Sequence, residues 1–252
     1  MINSMHLKTI QASALKSCFE VLKDALHDVN MFFTPTGMNI TALDNAKAAL
    51  INMNLLAENF EEYSCAEPIT AGVNMTNMFK LFKIITSNDV LSIDINSKDF
   101  MEITIENATK NTKTNFKVKL LWINDDILSI PDIERQSTTI LPSVDFQRIC
   151  RDMSNLSENV TITRKNNMIH FACSGDFADQ STSIDTEQDD FKGEVGNIYS
   201  LKYINLFTKA TNMCSTMKVH LTEPTDRIPI IFVYNVANLG EIEFLLAARL
   251  DE

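Results

Sequence analysis

One order of elements occurs twice along this chain of 252 residues. A helical stretch is followed by short strands, a second helical stretch and more strands. The whole series then repeats after about 125–130 residues, the spacing expected of two copies of one topology. Four stretches carry helical periodicity. Residues 13–26 place Leu15, Phe19, Leu22 and Leu26 on one side. Residues 75–86, behind an Asn74 cap, do the same with Met78, Leu81, Phe82 and Ile85. Residues 144–156, behind Ser143, turn Phe146, Ile149, Cys150 and Met153 inward. Residues 201–211, behind Ser200, turn in Ile204 and Phe207. Between them, runs such as 38–43, 90–95, 101–105, 116–120, 160–163, 168–171, 217–221 and 228–234 read as strands. Many alternate with period two, as strands with one buried face do. The expected fold class is α+β, with domains at 1–119 and 137–252 and a connector at 120–136.

That connector is unusual. Leu121-Trp122-Ile123-Asn124-Asp125-Asp126-Ile127-Leu128-Ser129-Ile130-Pro131-Asp132 is rich in Leu, Ile and acid and holds the single tryptophan. A flexible spacer would be rich in Gly and Ser. An apolar one lies on its own sheet or forms one wall of a groove for a peptide.

Composition narrows the function. With 45% apolar and 22% charged residues the chain reads as globular. No run approaches the roughly 18 apolar residues of a membrane span, and the first residues lack a secretory pattern. The expectation is an intracellular, soluble protein. Cys18, Cys65, Cys150, Cys173 and Cys214 are odd in number and widely spaced, so neither a disulfide framework nor a zinc site is expected. His6, His27, His170 and His220 show no metal-ligand spacing. Only six glycines are present, with no phosphate-cradling loop; Gly193-Glu194-Val195-Gly196 is too short and too acidic to serve as one. Asp125 and Asp126 read as linker acids and Asp189 and Asp190 as a turn. No catalytic constellation stands out, and an enzyme, a cofactor and a metal are not expected.

The net charge of −11 argues against a nucleic-acid partner until the cations are located. The four helical stretches hold Lys16, Lys23, Lys80, Lys83, Arg148, Arg151, Lys202 and Lys209 against only Glu20, Asp24, Asp145 and Asp152. Eight bases and four acids leave these stretches at +4 and the remainder at −15. Each pair of bases is spaced three or seven apart and so shares a helix face. Single basic faces are commonly just solvated. Four in an acidic chain suit a surface that attracts phosphates without reading bases.

Several stretches, in this order and spacing, resemble the proliferating cell nuclear antigen family of eukaryotic-type DNA sliding clamps. They are residues 14–26, 37–44, 72–78, Phe146-Gln147-Arg148-Ile149-Cys150-Arg151-Asp152-Met153-Ser154, Phe171-Ala172-Cys173-Ser174-Gly175-Asp176, and 201–210. The resemblance covers essentially the whole chain. It implies a DNA clamp fold in a ring of three subunits, with helices lining the channel and sheets outside. It places the eight bases named above toward double-stranded DNA, held without sequence preference. It implies subunit contacts through the edges 112–119 and 179–185, including Thr112, Thr114, Phe116, Gln180, Thr182 and Ile184. A pocket for a partner peptide is implied at Leu43, Lys47, Leu50, Leu128, Ile130, Pro131, Ile228, Pro229, Leu246 and Ala247.

The implied partners are DNA polymerase, other replication and repair proteins carrying a clamp-binding peptide, and an ATP-dependent clamp loader. The implied compartment is the nucleus, or a cytoplasmic replication site if the chain is viral. A heteromeric clamp subunit or a monomeric processivity factor is the alternative. Several positions depart from the family pattern. Ile133-Glu134-Arg135 lacks the usual tyrosine, Ala247-Ala248-Arg249 stands for Ala-Pro-Lys, Lys47 for a histidine and Asn166 for a modified lysine. The 185–200 connection is short. A diverged member from a large DNA virus or a protist is expected.

Overall fold

Period-two alternation in the sequence becomes pleat in the structure. In the strand Phe100–Asn107, Met101, Ile103 and Ile105 are buried while Glu102 is exposed. The computed structural model describes residues 4–124, 128, 130, 133, 135–186, 191–222 and 229–249. In chain order its first half gives β1 (Met5–Thr9), α1 (Ala12–Ala25), β2 (Asp28–Thr34), β3 (Gly37–Leu43), β4 (Ala49–Leu56), β5 (Glu62–Cys65), β6 (Ile69–Asn74), α2 (Met75–Phe82), β7 (Val90–Ile95), β8 (Phe100–Asn107) and β9 (Thr112–Lys119). The second half gives β10 (Ser137–Pro142), α3 (Ser143–Met153), β11 (Asn159–Lys165), β12 (Met168–Ser174), β13 (Asp179–Asp185), β14 (Glu194–Ser200), α4 (Leu201–Phe207), a 3-10 turn (Thr208–Met213), β15 (Thr216–Leu221), β16 (Ile230–Val236) and β17 (Gly240–Leu246). The order strand, helix, strands, helix, three strands therefore occurs twice, as the sequence repeat predicts.

Two compact units emerge. One comprises residues 1–45, 51–129 and 235–242, the other 46–50, 130–234 and 243–252. In the first, strands run β5-β1-β7-β8-β9 and β4-β3-β2-β6; in the second, β13-β12-β11-β14 and β10-β15-β16-β17. Registered pairs are antiparallel, for example Ile103 opposite Phe116 in β8/β9 and Phe171 opposite Thr182 in β12/β13.

Each unit buries a helix pair through aromatic contact. Phe19 of α1 meets Phe82 of α2 edge-on at 4.6 Å between ring centres. In the second unit Phe207 of α4 stacks on Phe244 of β17 at 4.6 Å, and Phe232 of β16 lies between Phe207 (6.1 Å) and Phe146 of α3 (5.4 Å). Aromatic pairs of this kind add to the energy of burial alone.

Helix ends differ from expectation in instructive ways. The Asn74 side chain does cap α2, accepting from the Asn77 amide at 3.0 Å. But α2 stops at Phe82 instead of reaching 86, because Thr86 closes a turn: its amide and hydroxyl donate to Asp89 at 2.7 and 3.0 Å. Ser143 is the first residue of α3 rather than its cap; Pro142 holds that position, and the Ser143 hydroxyl is buried. Ser200 is in the cap position of α4 without a side-chain capping bond, and the helix tightens to 3-10 geometry at Thr208.

The apolar connector begins on the first unit. Leu121 forms an antiparallel bridge to Gly72 of β6, its amide donating to the Gly72 carbonyl at 2.8 Å. A Cβ on residue 72 would come within 2.2 Å of the Leu121 oxygen, so glycine is what permits this approach. Asn30 donates to the Ile123 carbonyl at 3.3 Å. Trp122, between them, is 94% exposed.

Candidate functional site

The basic side chains sit where the helical periodicity assigns them, opposite the buried stripes. Lys80 and Lys83 are exposed on and just after α2, whose Met75, Met78 and Phe82 are buried. Arg148 and Arg151 are exposed on α3, opposite Phe146, Ile149, Cys150 and Met153. Lys202 on α4 and Lys209 on the 3-10 turn are exposed as well.

Lys16 and Lys23 on α1 are only half-buried. Lys16 donates to the Ile85 carbonyl at 2.8 Å, tying α1 to the end of α2. Lys23 pairs with Asp24 at 2.5 Å and lies 5.2 Å above the Phe79 ring.

Several exposed bases have local partners. Arg148 reaches Asp145 at 3.1 Å, Arg151 reaches Asp152 at 3.6 Å and Lys80 reaches the Asn77 amide oxygen at 3.0 Å. Exposed pairs of this kind are worth about 0–1 kcal/mol. A polyanion competes with them easily.

The two strands expected at subunit edges are terminal in their sheets, β9 beside β8 and β13 beside β12. Both alternate. Thr114, Phe116 and Val118 are half-buried on β9, as are Gln180, Thr182 and Ile184 on β13. Thr112, at the start of β9, is exposed.

The residues expected to form a peptide pocket divide. In the second unit, Leu50 and Ile130 pack against a buried cluster of Ile231, Val233 and Leu245, and Ile133 joins them. Ala247 is exposed, and its amide donates to the Ala48 carbonyl at 3.1 Å. Lys47 is exposed and adopts a left-handed backbone (φ 56°). Pro229 is half-buried, whereas Leu246, at 1% exposure, belongs to the core. Leu43 and Leu128 are exposed on the first unit. Pro131 and Ile228 lie outside the described residues.

Sequence reasoning did not single out Ile231, Val233 or Leu245 for this patch, and it met Ile133 only where the family shows a tyrosine. The signal was the unbroken apolar run Ile230–Val233, which marks a strand covered on both faces.

Arg135 stands two residues past Ile133. It pairs with Glu243 at 2.5 Å and approaches His220 Nε2 at 3.4 Å. The arginine can only donate, so Nε2 accepts and Nδ1–H donates to the Thr138 hydroxyl at 2.8 Å. Burial, then the charges of Arg135 and Lys218, push the His220 pKa down to about 4. The unfolded chain then binds a proton that the native chain refuses. Stability contributed by neutral His220 is full above about pH 6.5 and falls as pH drops toward about 4. Urea midpoints at pH 7 and pH 5 are expected to differ less in H220Q than in the wild type. Equal midpoint differences in the two proteins would contradict this assignment.

Among the described residues, no group of His, Cys, Asp and Glu could hold a metal ion. The Cys18, Cys65, Cys150 and Cys173 side chains are buried, and Cys214 is half-buried. Burial raises the thiol pKa of the first four.

Comparison with known proteins decides the family. The description "Proliferating cell nuclear antigen, N-terminal domain" matches residues 4–128, and its C-terminal-domain counterpart matches residues 129–249. The chain belongs to the proliferating cell nuclear antigen family. A relative described as a probable DNA polymerase sliding clamp 1, from Paramecium bursaria Chlorella virus 1, is 37% identical over 260 residues, covering 98% of this chain and 97% of that protein. As a member of the proliferating cell nuclear antigen family, the chain is a sliding clamp and acts as a non-catalytic scaffold. The repeated α+β unit is the fold of that family.

Proposed function

We propose that three copies of this chain close into a ring around duplex DNA and tether a DNA polymerase and other replication and repair proteins to it. The observation that carries this reading is the placement of charge. Six of eight helix-associated bases are exposed on a chain whose net charge is −11.

In this reading Lys16, Lys23, Lys80, Lys83, Arg148, Arg151, Lys202 and Lys209 face the duplex. Their contacts are to phosphates, which hold DNA in position but carry no sequence information. The ring stays on DNA by topology, so weak contacts suffice and sliding is not impeded. A polymerase bound to the ring gains processivity through its raised effective concentration at the template.

The chain carries no nucleotide-binding loop, so a separate ATP-dependent loader opens the ring. Partner peptides dock on the apolar patch that includes Leu50, Ile130 and Ile133, packed against Ile231, Val233 and Leu245. Apolar anchors of such peptides supply most of the binding energy. The proposed site of action is the nucleus, or a cytoplasmic viral replication site.

Light scattering across a dilution series tests the ring. The expected species has about three times the chain mass of 28.4 kDa. A monomer that persists at high concentration would instead indicate a heteromeric clamp subunit or a monomeric processivity factor.

A further inference from the structure

The apolar patch of the second unit borders a positive strip, and the strand registers place both on one face of the sheet. Val233 of β16 stands opposite Lys218 of β15, and Ile231 stands opposite His220. On the other side of β15, Lys218 pairs with Ile140 of β10 and His220 with Thr138. Directly opposed residues in an antiparallel pair point to the same face. The order across this face is therefore Ile231 and Val233, then His220 and Lys218, then Thr138 and Ile140.

Burial and charge change along that order. Ile231 and Val233 are 3% and 2% exposed, with Leu50, Ile130 and Ile133 packed against their cluster. One strand further on, Lys218 is exposed. Ile140 beyond it, on the terminal strand β10, is exposed too. The lysine stem thus has an aliphatic neighbour on each side, which leaves its ammonium to solvent.

Arg135 brings a second cation to the strip. It reaches Glu243 at 2.5 Å and His220 at 3.4 Å, yet its side chain remains 43% exposed. Burial, then the charges of Arg135 and Lys218, disfavour protonation of His220, so the imidazole stays neutral beside them at pH 7. Arg135 and Lys218 against Glu243 leave a net positive charge next to the apolar patch, in a chain whose own net charge is −11.

We infer that a partner peptide docked on the apolar patch carries a carboxylate side chain that seats on Lys218 and Arg135. This rests on the peptide docking proposed above and adds a charge requirement to it. Neighbouring strands lie about 4.8 Å apart, and an extended chain advances about 3.3 Å per residue. A peptide crossing from β16 toward β10 therefore meets Lys218 within about two residues of its last apolar anchor. A basic side chain at that point faces like charge, so the strip selects among peptides whose anchors are equally good.

Fluorescence anisotropy with the full-length chain tests the requirement. The probes are short labelled peptides with one aliphatic and two aromatic anchors, carrying Glu, Gln or Lys at each position flanking the anchors. At one position the Glu peptide is expected to bind about three- to tenfold tighter than the Gln peptide at low salt, the range for two exposed ion pairs. The Lys peptide should bind more weakly than either, and added salt should narrow the differences. The variant is K218E, because removing Arg135 would leave the buried Glu243 without its partner. Lys218 is exposed, so K218E should keep the wild-type circular dichroism while reversing the order, with Lys now preferred to Glu. If the Gln peptide binds but Glu gives no gain at any position, or K218E keeps the wild-type order, the patch stands and the charge requirement is wrong. If no peptide of the panel binds the wild type, the docking patch itself is wrong and the requirement falls with it.

Discussion

Phe207→Ala is expected to destabilise the second unit by about 3–5 kcal/mol, the range for truncating a buried aromatic. Phe207 is fully buried, stacks on Phe244 and neighbours Phe232, and so links α4 to β16 and β17. Alanine removes the ring that holds the helix to the sheet, and the surrounding strands are too constrained to refill the space. The effect should appear as a lower urea midpoint, read at one fixed protein concentration so that assembly does not confound it. Val144→Ala is the control. Its side chain is exposed on α3, and its change should stay within about 0.5 kcal/mol. A Phe207→Ala loss below about 1 kcal/mol would mean that the stack is not the centre of that core.

Replacing Lys80, Lys83, Arg148 and Arg151 together by alanine should leave the fold intact and cripple DNA association. All four side chains are exposed, and none fills a core position. If each contacts one phosphate in a subunit, the dependence of log K on log salt should become shallower by about 3–4 per subunit, from roughly 0.9 for each phosphate neutralised. Bases changed elsewhere would not do this. Lys98 and Lys192, exposed away from the helices, should leave the slope almost unchanged when replaced. An unaltered slope in the four-residue variant would remove the helices from the DNA-facing surface.

What could be read from sequence follows the burial of each element. The helices carry one apolar stripe each, so their periodicity marks both their existence and their exposed bases. Strand β13 alternates polar residues with Thr182 and Ile184, and its bounds at Asp179 and Asp185 are those expected. Strands β4 and β17 were missed although both alternate in part, in Ile51-Asn52-Met53-Asn54-Leu55 and in Glu241-Ile242-Glu243-Phe244. Their other face is partly covered too: Asn52 and Glu243 are buried.

Charge misleads in the same way. Arg164 on β11 reads as a surface residue, yet it is fully buried, with Thr139 Oγ1 at 3.3 Å. No local pattern announces a buried arginine, because the hydroxyl it reaches lies 25 residues earlier in the chain. The peptide patch was half legible for a related reason. Leu50 and Ile130 are legible through the family resemblance, whereas Ile231, Val233 and Leu245 are ordinary strand residues until the fold brings them together.

The central claim is topological, and retention on DNA tests it most directly. The clamp would be loaded by a loader and ATP onto nicked circular plasmid, washed in high salt and followed after the circle is cut once. The account predicts that the clamp stays on the closed circle through the wash and leaves within the time needed to slide off a free end. Loss from circle and linear DNA at the same rate would show that the chain holds DNA by contact alone and does not encircle it.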